Sequence, residues 1–260
     1  MVTLLYKKKI PMPKMHSIDQ VIETLGKIIE EAEANDDTAG YFAAMYRKVT
    51  VKVKEGIDNN EFEDGTRMEK FDIIFASRYI EAYYAWKKNE PVTIFWKKAF
   101  DRSTIYWPIV LHHLLMGMNA HINLDLGIAA AEVSKGKNIY DLQNDFNKIN
   151  NILSSLIMEV QDNLAEIWPR LKWILKRTHK VDDFMVDFSM QYSRDGAWKF
   201  AVRLSEMPQW DMEKLIAERD VHVSNKVKFL KKAGIIPKLV FGIIRLGELG
   251  SVKQKIGKLK

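Results

Sequence analysis

His121 and Asp125 stand four residues apart, the spacing at which two side chains share one face of a helix. An imidazole and a carboxylate placed so can meet on one divalent metal ion, or can work as an acid–base pair. They sit in a dense setting. Between His112 and Asp125 there are six polar residues in fourteen, inside a stretch from Ile109 to Val133 that is otherwise almost wholly apolar. At helical spacing they fall on two stripes. One carries His113, Gly117, His121 and Asp125; the other carries His112, Asn119 and Asn123. Buried polar groups need partners. These residues therefore either line a site or join a hydrogen-bonded network with facing helices.

The remaining candidates extend that site. His179, Asp183 and Asp187 form a second ladder at steps of four. Asp183 could join His113, His121 and Asp125 around zinc, manganese or iron. Arg78, between Phe75 and Tyr79, is a candidate buried guanidinium, paired with Asp125 or Asp145 or holding an anionic substrate. His121, Asp125, Arg78 and Asp145 are thus the candidate catalytic set. Asn119, Asn123, Arg194 and Trp198 are the candidate substrate contacts. Arg194 and Trp198, at i and i+4, could equally be a stacked surface pair.

The elements that must position them are helical. Ser17 caps a run in which Ile18, Val21, Ile22, Leu25, Ile28 and Ile29 recur at helical spacing. A second helix is expected over 39–53, although Val49, Thr50, Val51 and Val53 leave a strand open. Further helices are expected over 66–88, 91–100, 109–133, 139–168, 171–179, 181–191, 196–206 and 210–232. No alternating strand pattern stands between tight turns. The expected fold is all-α, a single-domain bundle with a buried central helix. Its parts are an extended segment over 1–16, a helical domain over 17–224 and a basic amphipathic segment over 225–260.

Composition narrows the function classes. Hydrophobic residues make up 47% of the 260 and charged residues 28%, which excludes wholesale disorder. There is no Cys, so a thiolate nucleophile, a disulfide scaffold and Cys-ligated metals are excluded. Net charge is +6. Nine Lys and one Arg against Glu248 alone give residues 225–260 a charge of +9, leaving the other 224 near −3. A nucleic-acid partner is not expected of such a body. The apolar positions between Ile235 and Leu246 suggest instead that the tail docks either on the body or on an anionic membrane. Trp86 and Trp96, each followed by two Lys, read as half-buried helix-end residues. No Walker, Rossmann or nucleophile-elbow motif occurs, and no nucleotide cofactor is expected. No signal peptide or membrane span is expected, which gives a cytoplasmic protein with peripheral membrane contact through its tail.

The run Gly117-Met-Asn-Ala-His-Ile-Asn-Leu-Asp-Leu126 resembles the signature of the bacterial domain-of-unknown-function family 5995. Phe75-Ala-Ser-Arg-Tyr-Ile-Glu-Ala82, Asp145-Phe146 and Arg194-Asp-Gly-Ala-Trp198 follow its expected order. The resemblance spans roughly 41–204 and implies an all-α fold without assigning an activity. A more distant likeness is to the zinc-dependent phospholipase C and P1 nuclease group. His113 and Gly117 match its pattern, but Met118 stands where an Asp belongs and the following Gln-Pro is missing. Only the general idea of a metal-assisted hydrolase carries over. The leading expectation is a metal-dependent, hydrolase-like enzyme acting on a small molecule. The alternative is a non-catalytic small-molecule or lipid-binding protein.

Overall fold

The computed structural model describes residues 15–105, 109–149, 151–152, 167, 190–226 and 247–260. Every regular element among them is helical, so the protein is an all-α multi-helix bundle.

Helix α1, Ile18–Ala34, begins where Ser17 accepts a hydrogen bond from the Gln20 amide at 3.2 Å. Val21, Leu25, Ile28 and Ile29 are buried along one face, as their spacing requires. Helix α2, Gly40–Asp58, packs against it. The β-branched end of α2 is helical because Val49, Thr50 and Val53 bury one side and Thr50 donates to the Tyr46 carbonyl at 3.2 Å. Tertiary burial here outweighs β propensity. Helix α3, Gly65–Lys87, is capped by Asp64, which accepts from the Arg67 amide at 2.9 Å. Its buried face carries Phe71, Asp72, Phe75, Tyr79 and Tyr83.

Helix α4, Ile94–Asp101, starts three residues later than Pro91 suggests. Two groups set that start. Thr93 accepts from the Trp96 amide, and Asp220 accepts from the amides of Ile94 (2.7 Å) and Phe95 (3.0 Å). A carboxylate there satisfies orphan first-turn donors and meets the positive end of the helix.

The central rod runs over 110–133 as α5, Val110–Ala120, a π-helical turn, His121–Asp125, and α6, Leu126–Val133. The Leu126 amide reaches back five residues to the His121 carbonyl. All five residues of this wide turn are buried. Arg219 braces it by donating to the Asn123 carbonyl at 3.0 Å. Beyond the rod, Ile139–Leu142 is a 3-10 turn and residues 143–149 are helical. Helix α7, Met190–Ser205, packs on α6, and helix α8, Gln209–Lys226, packs on α4.

The last helix, α9, Val252–Leu259, closes the bundle against α1 and α2. Ile256 and Leu259 are buried there. Gly40 makes room, since a Cβ at that position would stand 2.7 Å from Ile256 Cδ1. The buried Lys255 ammonium pairs with Glu248 at 3.2 Å, and Glu248 also accepts from the Val110 amide at the head of the rod. This end of the basic segment is part of the body. The apolar run from Ile235 to Leu246, the helix expected over 171–179, and the helix expected over 181–191 up to residue 189 lie outside the described residues. Among the described residues no helix is long and apolar enough to cross a membrane.

Candidate active site

Asp125 is the hub of the site. It is 1% exposed, and a carboxylate so buried stays ionised only with strong partners. Three helical elements supply them. Arg78 on α3 donates from Nε to Oδ1 at 2.7 Å. Trp96 on α4 donates from Nε1 to Oδ2 at 2.8 Å. His121, one π turn earlier, places Nδ1 3.1 Å from the same Oδ2. Burial by itself would push the Asp125 carboxyl up. Only together do the Arg78 charge, the contact with His121 and the Trp96 hydrogen bond outweigh it, and they hold Asp125 below the usual carboxylate range.

His121 is enclosed by rings. Phe75 lies parallel to the imidazole, with centroids 3.6 Å apart and planes within 7°. Tyr46 meets it edge-on at 4.5 Å, and Phe42 and Tyr79 stand at 6.0 and 6.2 Å. Burial pushes the imidazole below its ordinary value, against the pull of Asp125. His121 is therefore neutral at pH 7. Its contact with a carboxylate puts the proton on Nδ1 and the lone pair on Nε2. Nε2 is buried and has no hydrogen-bond partner. An oriented neutral imidazole with a bare Nε2 is the arrangement of a general base.

A cavity lies beside this cluster, between the start of α2, α4 and α5. Thr38, Phe42, Trp96, Ser103, His113 and Gly117 are among the residues that line it. Its free space, about 20 Å³, suffices for one water-sized molecule. Phe42 and Trp96 thus face the cavity and also the His121–Asp125 pair. Gly117 is explained by the same packing, because a Cβ there would run into the Phe42 ring. A neighbouring helix, not a ligand, accounts for that glycine.

The sequence candidates separate into groups. His121, Asp125 and Arg78 come together as one network. His113 is buried, two turns earlier on the rod, and meets Tyr41 edge-on at 5.6 Å at the cavity. Asn123 donates to Asn119 at 2.8 Å on the other stripe. His112 accepts from the Ile109 amide at 3.2 Å, and burial with the nearby Arg102 charge pushes it down to about 4. Asp145 is elsewhere. It accepts from the amides of Glu63 (2.7 Å) and Asp64 (3.1 Å) and from Arg67 Nη2 (3.0 Å), which ties the loop before α3 to the 143–149 helix. Arg67 and Arg78 are 11 residues apart on α3, about 16 Å along its axis, so the two carboxylates serve different ends of one helix. Trp198 packs on Phe146 at 4.9 Å, and Arg194 is buried on the same helix rather than exposed. Asp183 lies outside the described residues.

The largest omission from the sequence reading is Trp96. It is fully buried and bonds the central carboxylate, whereas Lys97 and Lys98 suggest a half-buried position. Trp86 fits that description, with Nε1 donating to Asp101 at 3.2 Å. On an eight-residue helix the periodic signal is too short to tell the two apart. Among the described residues no group of three or more His, Asp or Glu is placed to hold a metal ion.

The fold and this network define a helical-bundle protein with a buried His–Asp–Arg–Trp centre in its middle helix. A family model described as "Family of unknown function (DUF5995)" matches residues 18–233, so the chain belongs to that family. No curated protein and no solved structure matches it.

Proposed function

We propose that the protein is a small-molecule enzyme of hydrolase type whose acid–base centre is His121, oriented by Asp125. The observation that carries this reading is the buried imidazole with Nδ1 held by a carboxylate and Nε2 without a partner. In that role His121 Nε2 takes a proton from an attacking water. Asp125 fixes the tautomer and stabilises the imidazolium that forms. Arg78 and Trp96 keep Asp125 ionised and in place. The cavity lined by Phe42 and Trp96 is the approach to the centre, and a substrate must displace the Phe42 ring to reach it.

Metal ligation by His113, His121, Asp125 and Asp183 is the weaker form of the proposal. Both Asp125 oxygens already accept hydrogen bonds, one from a guanidinium, and a cation beside Arg78 would be repelled. Non-catalytic binding of a small, largely apolar molecule is the second reading, favoured by the aromatic lining of the cavity. Anionic-membrane docking by the basic segment 225–260 is an independent proposal, tested by liposome co-sedimentation.

The test is turnover of a panel of small nitrophenyl esters and phosphoesters by the full chain and by His121→Phe. Phenylalanine suits the aromatic cage, so the variant is expected to fold. Turnover by the wild type that is lost in the variant supports the proposal. Equal turnover in both, or none in the wild type, contradicts it.

A further inference from the structure

The His121–Asp125 pair sits on a π turn, and such a turn inside an α-helical rod is rare and often marks a functional site. Neighbours from α3, α7 and α8 pack on it. Arg219 on α8 bonds its backbone directly. It is half-buried and donates from Nε to the Asn123 carbonyl, inside the turn, at 3.0 Å. Its guanidinium lies over the Phe200 ring of α7, 5.2 Å from the centroid. Gly196, one turn before Phe200, leaves room for it, since a Cβ there would stand 3.3 Å from Nη2. The guanidinium is thus held by α7 as it grips the rod. A permanently charged donor held in this way makes a strong bond to a carbonyl.

The next residue, Asp220, grips another element. Consecutive helix residues point about 100° apart, so α8 can face the rod with one and α4 with the other. Asp220 is 4% exposed and accepts from the amides of Ile94 (2.7 Å) and Phe95 (3.0 Å) at the head of α4. Lys98 adds a second tie between α4 and α8, donating to the Ser224 carbonyl at 3.0 Å. Trp96 follows Phe95, and its indole donates to Asp125 Oδ2 at 2.8 Å. His121 Nδ1 meets that same oxygen at 3.1 Å. One carboxylate oxygen therefore serves two partners, one on the π turn and one on α4. Both contacts survive only while the two elements keep their spacing, and adjacent residues of α8 tie down both.

We propose that Arg219 and Asp220 are positioning residues for the His121 centre. Arg219 fixes the wide turn that joins His121 to Asp125, and Asp220 fixes the helix start that brings Trp96 onto the same oxygen. The inference rests on the hydrolase reading above. Neither residue touches the reacting atoms. With both in place, His121 keeps its proton on Nδ1 and its lone pair on Nε2. Without Arg219 the turn relaxes, His121 parts from Asp125, and the proton divides between the two nitrogens.

The test needs no substrate. Nitrogen-15 NMR of the full chain at pH 7 follows the His121 ring nitrogens and the Trp96 indole N–H, with His121→Phe and Trp96→Phe identifying the signals. Arg219→Met keeps an unbranched stem against Phe200 but removes the donor. The expected result is a shift of the His121 tautomer ratio towards Nε2–H by at least about tenfold, the loss of one hydrogen bond to a charged group. Arg219→Lys, which returns a charged donor, should restore the wild-type ratio. Asp220→Ala should move the Trp96 indole proton upfield as its bond to Asp125 lengthens. Arg219→Gln, with a shorter neutral donor, carries the test if Arg219→Met does not fold, and a smaller shift in the same direction is expected. Variants that lose stability while both sets of signals stay as in the wild type would show a merely structural role and overturn the proposal. If turnover depends on His121 but the signals do not respond, the hydrolase reading stands and the two residues are removed from it. If the signals respond but the wild type turns nothing over, the positioning of the pair stands and the hydrolase reading falls.

Discussion

Two buried aspartates with arginine partners do different work in this protein. Asp145 is fully buried and accepts from two backbone amides and Arg67. Its partners are two main-chain amides and a guanidinium, so it fixes a loop, and the buried atom left over, Arg67 Nε, is a donor with no lone pair to offer. Asp125 is equally buried, but all its partners are side chains, drawn from α3, α4 and the π turn. One of them, His121, keeps a nitrogen without a partner. Burial and an ion pair therefore do not mark a functional carboxylate. What marks it is a partner group left with an unused lone pair.

The largest effect should come from Asp125→Ala. It takes the carboxylate from a half-buried guanidinium and strands a buried indole N–H and imidazole N–H, and a loss of about 3–5 kcal/mol is expected from urea denaturation. Loss of turnover should accompany it. Unfolding measured against pH separates Asp125 from Asp72. Asp72 is raised in the folded state by its burial, so its contribution is fully present below the unfolded carboxylate value near 4 and is lost as pH rises through about 8. Asp125 is lowered, so its contribution is present above that unfolded value and is lost as pH falls through its folded one. Asp72→Asn should thus remove a downward slope of up to about 1.4 kcal/mol per pH unit between those limits, and leave the acid limb intact. Gly117→Ala forces a methyl into the Phe42 ring and should cost about 1–3 kcal/mol, read as a lower midpoint of unfolding. Asp145→Asn keeps one acceptor oxygen but loses the negative charge that pairs with Arg67, for a cost of about 1–2 kcal/mol. Turnover should stay as in the wild type, and a large drop in it would erase the contrast between the two aspartates.

Much of this arrangement is legible in residue types and spacing. The rod from Ile109 to Val133, its polar stripes and the His121–Asp125 step of four all follow from periodicity. By residue type and spacing Arg78 fits either Asp125 or Asp145, and the packing of α3 on the rod decides for Asp125. Trp96 could not be read, because its partner is 29 residues away and its neighbours are lysines. The π turn was equally hidden. Its bond from Leu126 to His121 lies where α3, α7 and α8 pack on it and Arg219 braces it. The role of Gly40 needs Ile256, more than 200 residues distant, which no local pattern supplies.

The most direct test of the central claim is the tautomer of His121, read from its two imidazole nitrogen shifts at pH 7 in the wild-type protein. A neutral ring with the proton on Nδ1 and an unprotonated Nε2 is the predicted result. A proton on Nε2, in either the imidazolium or the other neutral form, would contradict it, since His121 would then have no base to offer.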